Sequence, residues 1–237
     1  MPNNNRSLIN GLIILYTLLS ITNLMGFITG NKMLSMISKP LLMPLLIVWF
    51  ILSTRHHFNA FAKWLVAGFI FSWFGDLALM KEADGPQFFI LGLASFLFAH
   101  LSYIRAFIKT PYRHKLTIIK SKPWLLLVFL VFEAGLLYLL FPYLADMKIP
   151  VVIYATVIML MSIYALNRYG LVNNTSYKLI LSGALIFMLS DTTIALNKFY
   201  YPFKYAGLCI MFTYLLAQYL IAKGGIEQVK EESASRL

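Results

Sequence analysis

Residues 61–80 read FAKWLVAGFIFSWFGDLALM, and the fold class follows from how few charges they contain. Lys63 near the start and Asp76 near the end are the only ionisable side chains. As a helix, twenty residues rise about 30 Å, the thickness of a bilayer's hydrocarbon core. A barrel strand would be about half as long and would alternate in polarity, which this stretch does not do. Apolar throughout, it reads as a membrane-spanning helix, which satisfies its own backbone hydrogen bonds.

Outward in both directions the same pattern recurs. Spans are expected at about 7–29, 34–52, 61–80, 86–108, 123–141, 149–167, 177–197 and 203–222, separated by polar breaks such as Gly30-Asn31-Lys32, Arg55-His56-His57, Lys81 to Pro86 and Asn173-Asn174. Only 12% of the 237 residues are charged and the mean hydropathy is +0.75. A soluble domain would carry about twice that charge. The expected fold is all-α: one integral membrane domain over 1–237 with eight transmembrane helices. The longest loop is Lys109 to Lys122, and the charged tail after Lys223 is expected to fray. The first apolar run exceeds a signal-peptide core and lacks a cleavage pattern near Gly30, so it is expected to stay as a helix.

The formal charge of +11 has no soluble basic domain to carry it, so nucleic acid is not the expected partner. It marks orientation instead, because basic loops stay cytoplasmic. With the N-terminus inside, fourteen Lys and Arg fall on the cytoplasmic side (Arg6, Arg55, Lys63, Arg105, Lys109, Arg113, Lys115, Lys120, Lys122, Arg168, Lys178, Lys223, Lys230, Arg236). Five fall opposite: Lys32, Lys81, Lys148, Lys198 and Lys204. Both termini are therefore expected in the cytoplasm, with a bacterial inner membrane as the expected location. The single cysteine, Cys209, permits no internal disulfide and is expected to be a buried small hydrophobe. The 19 Phe and 14 Tyr read mostly as lipid-facing and interfacial packing.

A shift of 115 positions aligns Lys63 with Lys178, Gly68 with Gly183, Asp76 with Asp191 and Gly92-Leu93 with Gly207-Leu208, without a gap. The stretches GFIFSWFGD and GALIFMLSD suggest a parallel 4+4 internal repeat about an axis along the membrane normal.

Ionisable residues inside spans are costly, so each is a functional candidate. They are Lys39, Asp76, Glu133 and Asp191, joined by His100 as a titratable group. Asp76 and Asp191 are expected at similar depth, near the non-cytoplasmic end, with Lys39 at that level. The three are expected to converge in one polar pocket. Two carboxyls in a low-dielectric site do not ionise together easily, which prepares one as general acid and the other as general base. The bland alternative is a Lys39–Asp76 ion pair that fixes helix register. His100 reads either as a structural hydrogen-bonding group or as part of the chemistry. Glu133 reads as proton relay, helix contact or pocket wall. Pro40 and Pro44 suggest a bent helix that makes room for a ligand. The histidines and lone cysteine have no metal-ligand spacing, and no phosphate loop or nucleophile motif occurs, so neither metal nor cofactor is expected.

At these residues the chain resembles a known family. Ser38-Lys39-Pro40-Leu41, then Phe71 to Leu79 with Ser72 and Asp76, then Gly92-x3-Phe96-x3-His100-x2-Tyr103, and Phe187-Met188-Leu189-Ser190-Asp191 with Phe199 look like the YhhN/TMEM86 family of lysoplasmalogenases. Tyr154, Ala165 and Tyr214-x2-Ala217-Gln218 extend the resemblance over spans 2 to 8 in order. It implies hydrolysis of the vinyl ether bond of a lysoplasmalogen, a lysophospholipid, to a fatty aldehyde and a glycerophospho-base. Vinyl ethers resist nucleophiles but yield to acid, which suits paired carboxyls without metal, serine or cofactor. On this resemblance Asp76 and Asp191 take the acid and base roles in either order. Lys39 tunes their acidity or holds phosphate. His100 and Tyr103, with Ser72, Ser190 and Glu133, position substrate or water. A proton-coupled transporter using the same aspartates is the principal alternative, and a zinc lipid amidase is disfavoured by the missing histidines.

Overall fold

A computed structural model describes residues 3–110 and 117–235. Arg113, Lys115, Arg236 and both chain ends, which enter the orientation argument, lie outside the described residues. The long helices are α1 (Asn3–Thr29), α2 (Lys32–Thr54), α3 (Ala60–Met80) and α4 (Pro86–Ile108). After a four-residue turn, α5 (Ile118–Ser121), come α6 (Leu125–Leu140), α7 (Lys148–Leu166), α8 (Asn174–Ala195) and α9 (Ala206–Ala234). No strand occurs among the described residues, and eight helices are long and apolar enough to cross a membrane.

Local chemistry starts these helices where the polar breaks fall. Asn31, Asn59 and Asn173 each accept a backbone N–H of the first turn, from Met33, Ala62 and Ser176, with α2, α3 and α8 following. Pro86 opens α4 at a position where its missing N–H costs nothing. Gly30 turns the chain between α1 and α2 at φ 72°. Inside α2, Pro44 cannot donate to the carbonyl of Pro40, and the Trp73 indole N–H takes that place at 2.9 Å. The proline thus ties α2 to α3 immediately beside Lys39.

Two expectations need correction. The chain after Lys223 does not fray, because α9 runs on to Ala234 with Gly224, Gly225, Ile226, Gln228 and Val229 buried. A Cβ on Gly225 would stand 2.5 Å from Leu65, and one on Gly224 2.7 Å from Ile180, so the glycine pair lets α9 lie close against α3 and α8. Most of the Phe and Tyr are exposed or half-buried, but a minority forms the core. Phe50, Phe61, Phe69, Phe96, Tyr103, Phe107, Phe187 and Tyr214 are buried, and edge-to-face contacts run from Phe50 through Phe69 and Tyr103 to Phe187 and Tyr214. Cys209 is exposed on the outer face of α9 rather than buried.

Candidate active site

Most of the candidate residues fall into three hydrogen-bonded groups. In the first, Lys39 Nζ lies 3.5 Å from Asp76 Oδ1, and the Tyr214 hydroxyl donates to Asp76 Oδ2 at 2.6 Å. In the second, Tyr154 donates its hydroxyl to Asp191 Oδ2 at 2.5 Å, and His100 Nε2 lies 3.0 Å from the same oxygen. In the third, Tyr103 donates to Gln218 Oε1 at 2.7 Å, and Gln218 Nε2 donates to Ser72 at 2.9 Å.

The aspartates therefore sit in two centres, not in one pocket with a shared lysine. No hydrogen bond joins their carboxyls among the described residues. The ring of Phe187 lies between the two groups, 4.8 Å from His100 and 5.5 Å from Tyr214 by ring centroids. Both aspartates are buried, with side-chain exposures of 4% for Asp76 and 7% for Asp191. Their surroundings differ: Asp76 faces an ammonium, whereas Asp191 faces a phenol and an imidazole.

His100 is fully buried and its Nε2 contact with Asp191 puts it in the second group. Its Nδ1 has no hydrogen-bond partner among the described residues. Tyr103 and Ser72 belong to the third group, one helical turn deeper than Asp76 and His100. Ser190 points away and donates to the carbonyl of Ile210, fastening α8 to α9. Glu133 accepts from the Thr156 hydroxyl at 2.7 Å and lines a cavity that also reaches Asp191. Tyr154, Tyr214 and Gln218 were assigned no role from the sequence. The available signal was Tyr214 and Gln218 at i, i+4 on one helical face.

Two apolar cavities flank Asp191. One, a narrow slot of about 40 Å³, lies between α6, α7 and α8. The other, also of about 40 Å³, lies towards Leu79 of α3, Phe89 of α4 and Phe199. Val151, Tyr154, Asp191 and Ala195 line both. Beyond Ala195 the chain makes one π turn, Leu196–Tyr200, with Tyr201 N–H bonded to the Leu196 carbonyl at 2.9 Å. Such turns are frequent beside functional sites, and this one delivers Phe199 to the second cavity.

Helix count, apolar surface and buried carboxyls define an integral membrane protein with two buried polar centres, one of them flanked by narrow apolar cavities. The chain belongs to the YhhN family, whose model matches residues 34–225. It is 34% identical to the lysoplasmalogenase TMEM86A of Bos taurus and 33% identical to that of Homo sapiens, over 69% of this chain and 65% of each relative. The lysoplasmalogenase TMEM86B of Sus scrofa is 36% identical over 58% of this chain and 54% of its own length. The chain thus spans a little under two thirds of the curated relatives it matches. No solved structure matches it.

Proposed function

We propose that this protein hydrolyses the vinyl ether bond of a lysoplasmalogen, with Asp191 as the proton donor. The observation that carries the assignment is the bonding of Asp191. Tyr154 donates to Oδ2 and His100 Nε2 lies 3.0 Å from the same oxygen, while no hydrogen bond among the described residues ends on Oδ1. Oδ1 is thus the oxygen left free to present the acid proton to a substrate. That residue is the aspartate shared by both apolar cavities.

The reaction then balances with a carboxyl and water alone. Oδ1 gives its proton to the outer alkene carbon, and the ether oxygen's electrons form an oxocarbenium ion beside the new carboxylate. Water adds to the cationic carbon and loses a proton, and the hemiacetal collapses to a fatty aldehyde and a glycerol hydroxyl. Asp76, held by Lys39 and Tyr214, is the second carboxylate, which accepts the water's proton through solvent or substrate. The curated relatives carry the name lysoplasmalogenase, which supports the reading.

The test is aldehyde release from lysoplasmalogen by purified protein in detergent, with ester and saturated-ether lysolipids as controls. Asp191→Asn and Asp76→Asn are each expected to lose about 100- to 10,000-fold in rate while remaining folded and monodisperse. In heavy water the aldehyde should carry deuterium beside its carbonyl, because carbon receives the proton. Near-normal rates in both variants would return the aspartates to structural roles. A transporter would leave the lipid intact. The basic-residue bias supports a cytoplasmic position for both termini, with the site towards the opposite leaflet.

A further inference from the structure

Helix α6 is held to the bundle differently from the others. Of its sixteen residues only Phe129 and Leu140 are buried. Near one end it joins a small apolar cluster around Leu140, Leu144 and Val151, and among the described residues its one side-chain hydrogen bond to the bundle is Glu133 to Thr156. A carboxyl in mid-membrane is costly unless it meets a partner, and here the partner is one hydroxyl. Pro123 and Pro142 bracket the helix.

Behind α6 lies the first cavity. Its walls are hydrocarbon except for Glu133, Tyr154, Asp191 and Thr192, and it is a narrow slot rather than a chamber. At about 40 Å³ it falls well short of the range of small-ligand sites, so an alkyl chain enters only if a wall moves. From Val151 to Met159 the slot follows α7 for eight residues, about 12 Å. The second cavity continues from Asp191 to the helix ends, where the exposed Lys198–Glu82 ion pair lies over it and the Lys198 ammonium stands 4.8 Å from the Phe89 ring. The sequence of environments is hydrocarbon slot, carboxyl, aromatic passage, then adjacent positive and negative charges.

We propose that this path binds one single-chain zwitterionic lipid along its length, with α6 as the wall that moves to admit it from the bilayer. The hydrocarbon chain occupies the slot behind α6. The linkage to glycerol rests at Asp191, and the head group reaches the Lys198–Glu82 pair, phosphate towards the lysine and ammonium towards the glutamate. The Glu133–Thr156 hydrogen bond is the latch of the moving wall. The identity of the linkage rests on the proposed function, whereas chain, head group and gate rest on the cavities and on α6.

The experiment uses the full chain in nanodiscs and a saturated-ether lysophosphoethanolamine, which cannot be cleaved, carrying a diazirine at the chain end. After irradiation, adducts are mapped by peptide mass spectrometry. Adducts are expected on Phe132, Leu136 and Met159, and unlabelled ether lysolipid should compete them away. Ala155→Leu fills the slot and should reduce labelling about tenfold, with a shift towards probes of shorter chain. Ala155→Val is the milder version should the first fail to fold. Leu130→Trp, on the lipid-facing side of α6 and outside the slot, should leave labelling unchanged. Thr156→Val opens the latch and should raise the initial labelling rate severalfold without moving the adducts. Adducts spread over α1 and α6 in proportion to exposure, or labelling indifferent to Ala155→Leu, would overturn the chain site. An unchanged rate in Thr156→Val would overturn the gate. Slot adducts from a protein that cleaves no lysoplasmalogen would overturn the proposed reaction and leave the lipid site standing.

Discussion

Arg168 shows what a single residue contributes far from the aspartates. It is 1% exposed, and its guanidinium lies 5.7 Å from the Phe61 ring and 5.5 Å from that of Phe107. It donates to Thr110 and Ser176, and through Nη2 to Gln228 at 2.5 Å. Burial pushes its pKa down to about 9, with Glu232 pulling the other way. Because the folded pKa lies below the unfolded one, the folded state sheds the proton first. The cost of the buried charge is therefore full below about 9 and is relieved as pH rises further. In thermal melts the gap between the unmutated protein and Arg168→Met should stay constant from about pH 6 to 8 and move in favour of the arginine above about 9. Arg168→Lys should melt below the unmutated protein, since an ammonium cannot reproduce the planar fork between two rings. From the sequence this arginine was one more loop charge, because a count cannot separate a buried guanidinium from a solvated one. Asp76 and Asp191 were legible for the opposite reason: a carboxyl in an apolar run stands out by its cost. Their donors were not, since Tyr154 is one of 14 tyrosines and His100 meets Asp191 across 91 positions.

Among the helices, the boundaries of α3 and α4 followed the apolar runs closely, because run length and flanking Asn, Gly and Pro report directly on the bilayer and on capping. The end of α9 did not. Lys223-Gly224-Gly225 reads as a break, since glycine usually weakens a helix, but here close packing outweighs propensity. At Gly225 a Cβ would stand 2.5 Å from Leu65 Cδ1 and 3.0 Å from Phe50 Cε2. Gly225→Val is accordingly expected to destabilise by about 1–3 kcal/mol through overpacking, read as a lower melting temperature in detergent. The same variant should loosen the last turns of α9, where Glu231 and Glu232 bond Asn173 and Asn59. Amide exchange should then rise across residues 226–234. Unchanged exchange there would mean that the segment is held by its polar contacts alone.

For the molecule as a whole, the 115-residue shift makes a geometric demand on pairs of residues. Related halves should exchange contacts: if Asp76 meets a position on α9, Asp191 should meet its counterpart on α4. Asp76 accepts from Tyr214, whose counterpart is Ala99, and Asp191 meets His100, one position away. Ser72 pairs with Gln218, and the shifted pair, Phe187 and Tyr103, is in ring contact. Superposing α3–α4 on α8–α9 in an experimental structure should therefore bring Asp76 onto Asp191, while α1–α2 and the loosely held α6–α7 should fit poorly. A parallel relation puts both aspartates at one depth, so a single measurement of sidedness serves for both. In a Cys209→Ser background, needed because Cys209 is exposed, Lys81→Cys and Lys204→Cys should react in intact cells with a thiol reagent that cannot cross the membrane. Lys63→Cys and Lys178→Cys should react only after permeabilisation. That pattern places the aspartates and the Lys198–Glu82 end towards the outer leaflet, where an externally supplied lysolipid reaches the slot without crossing the bilayer. The reverse pattern would put the site towards the cytoplasmic leaflet and make newly formed intracellular lysolipid its source.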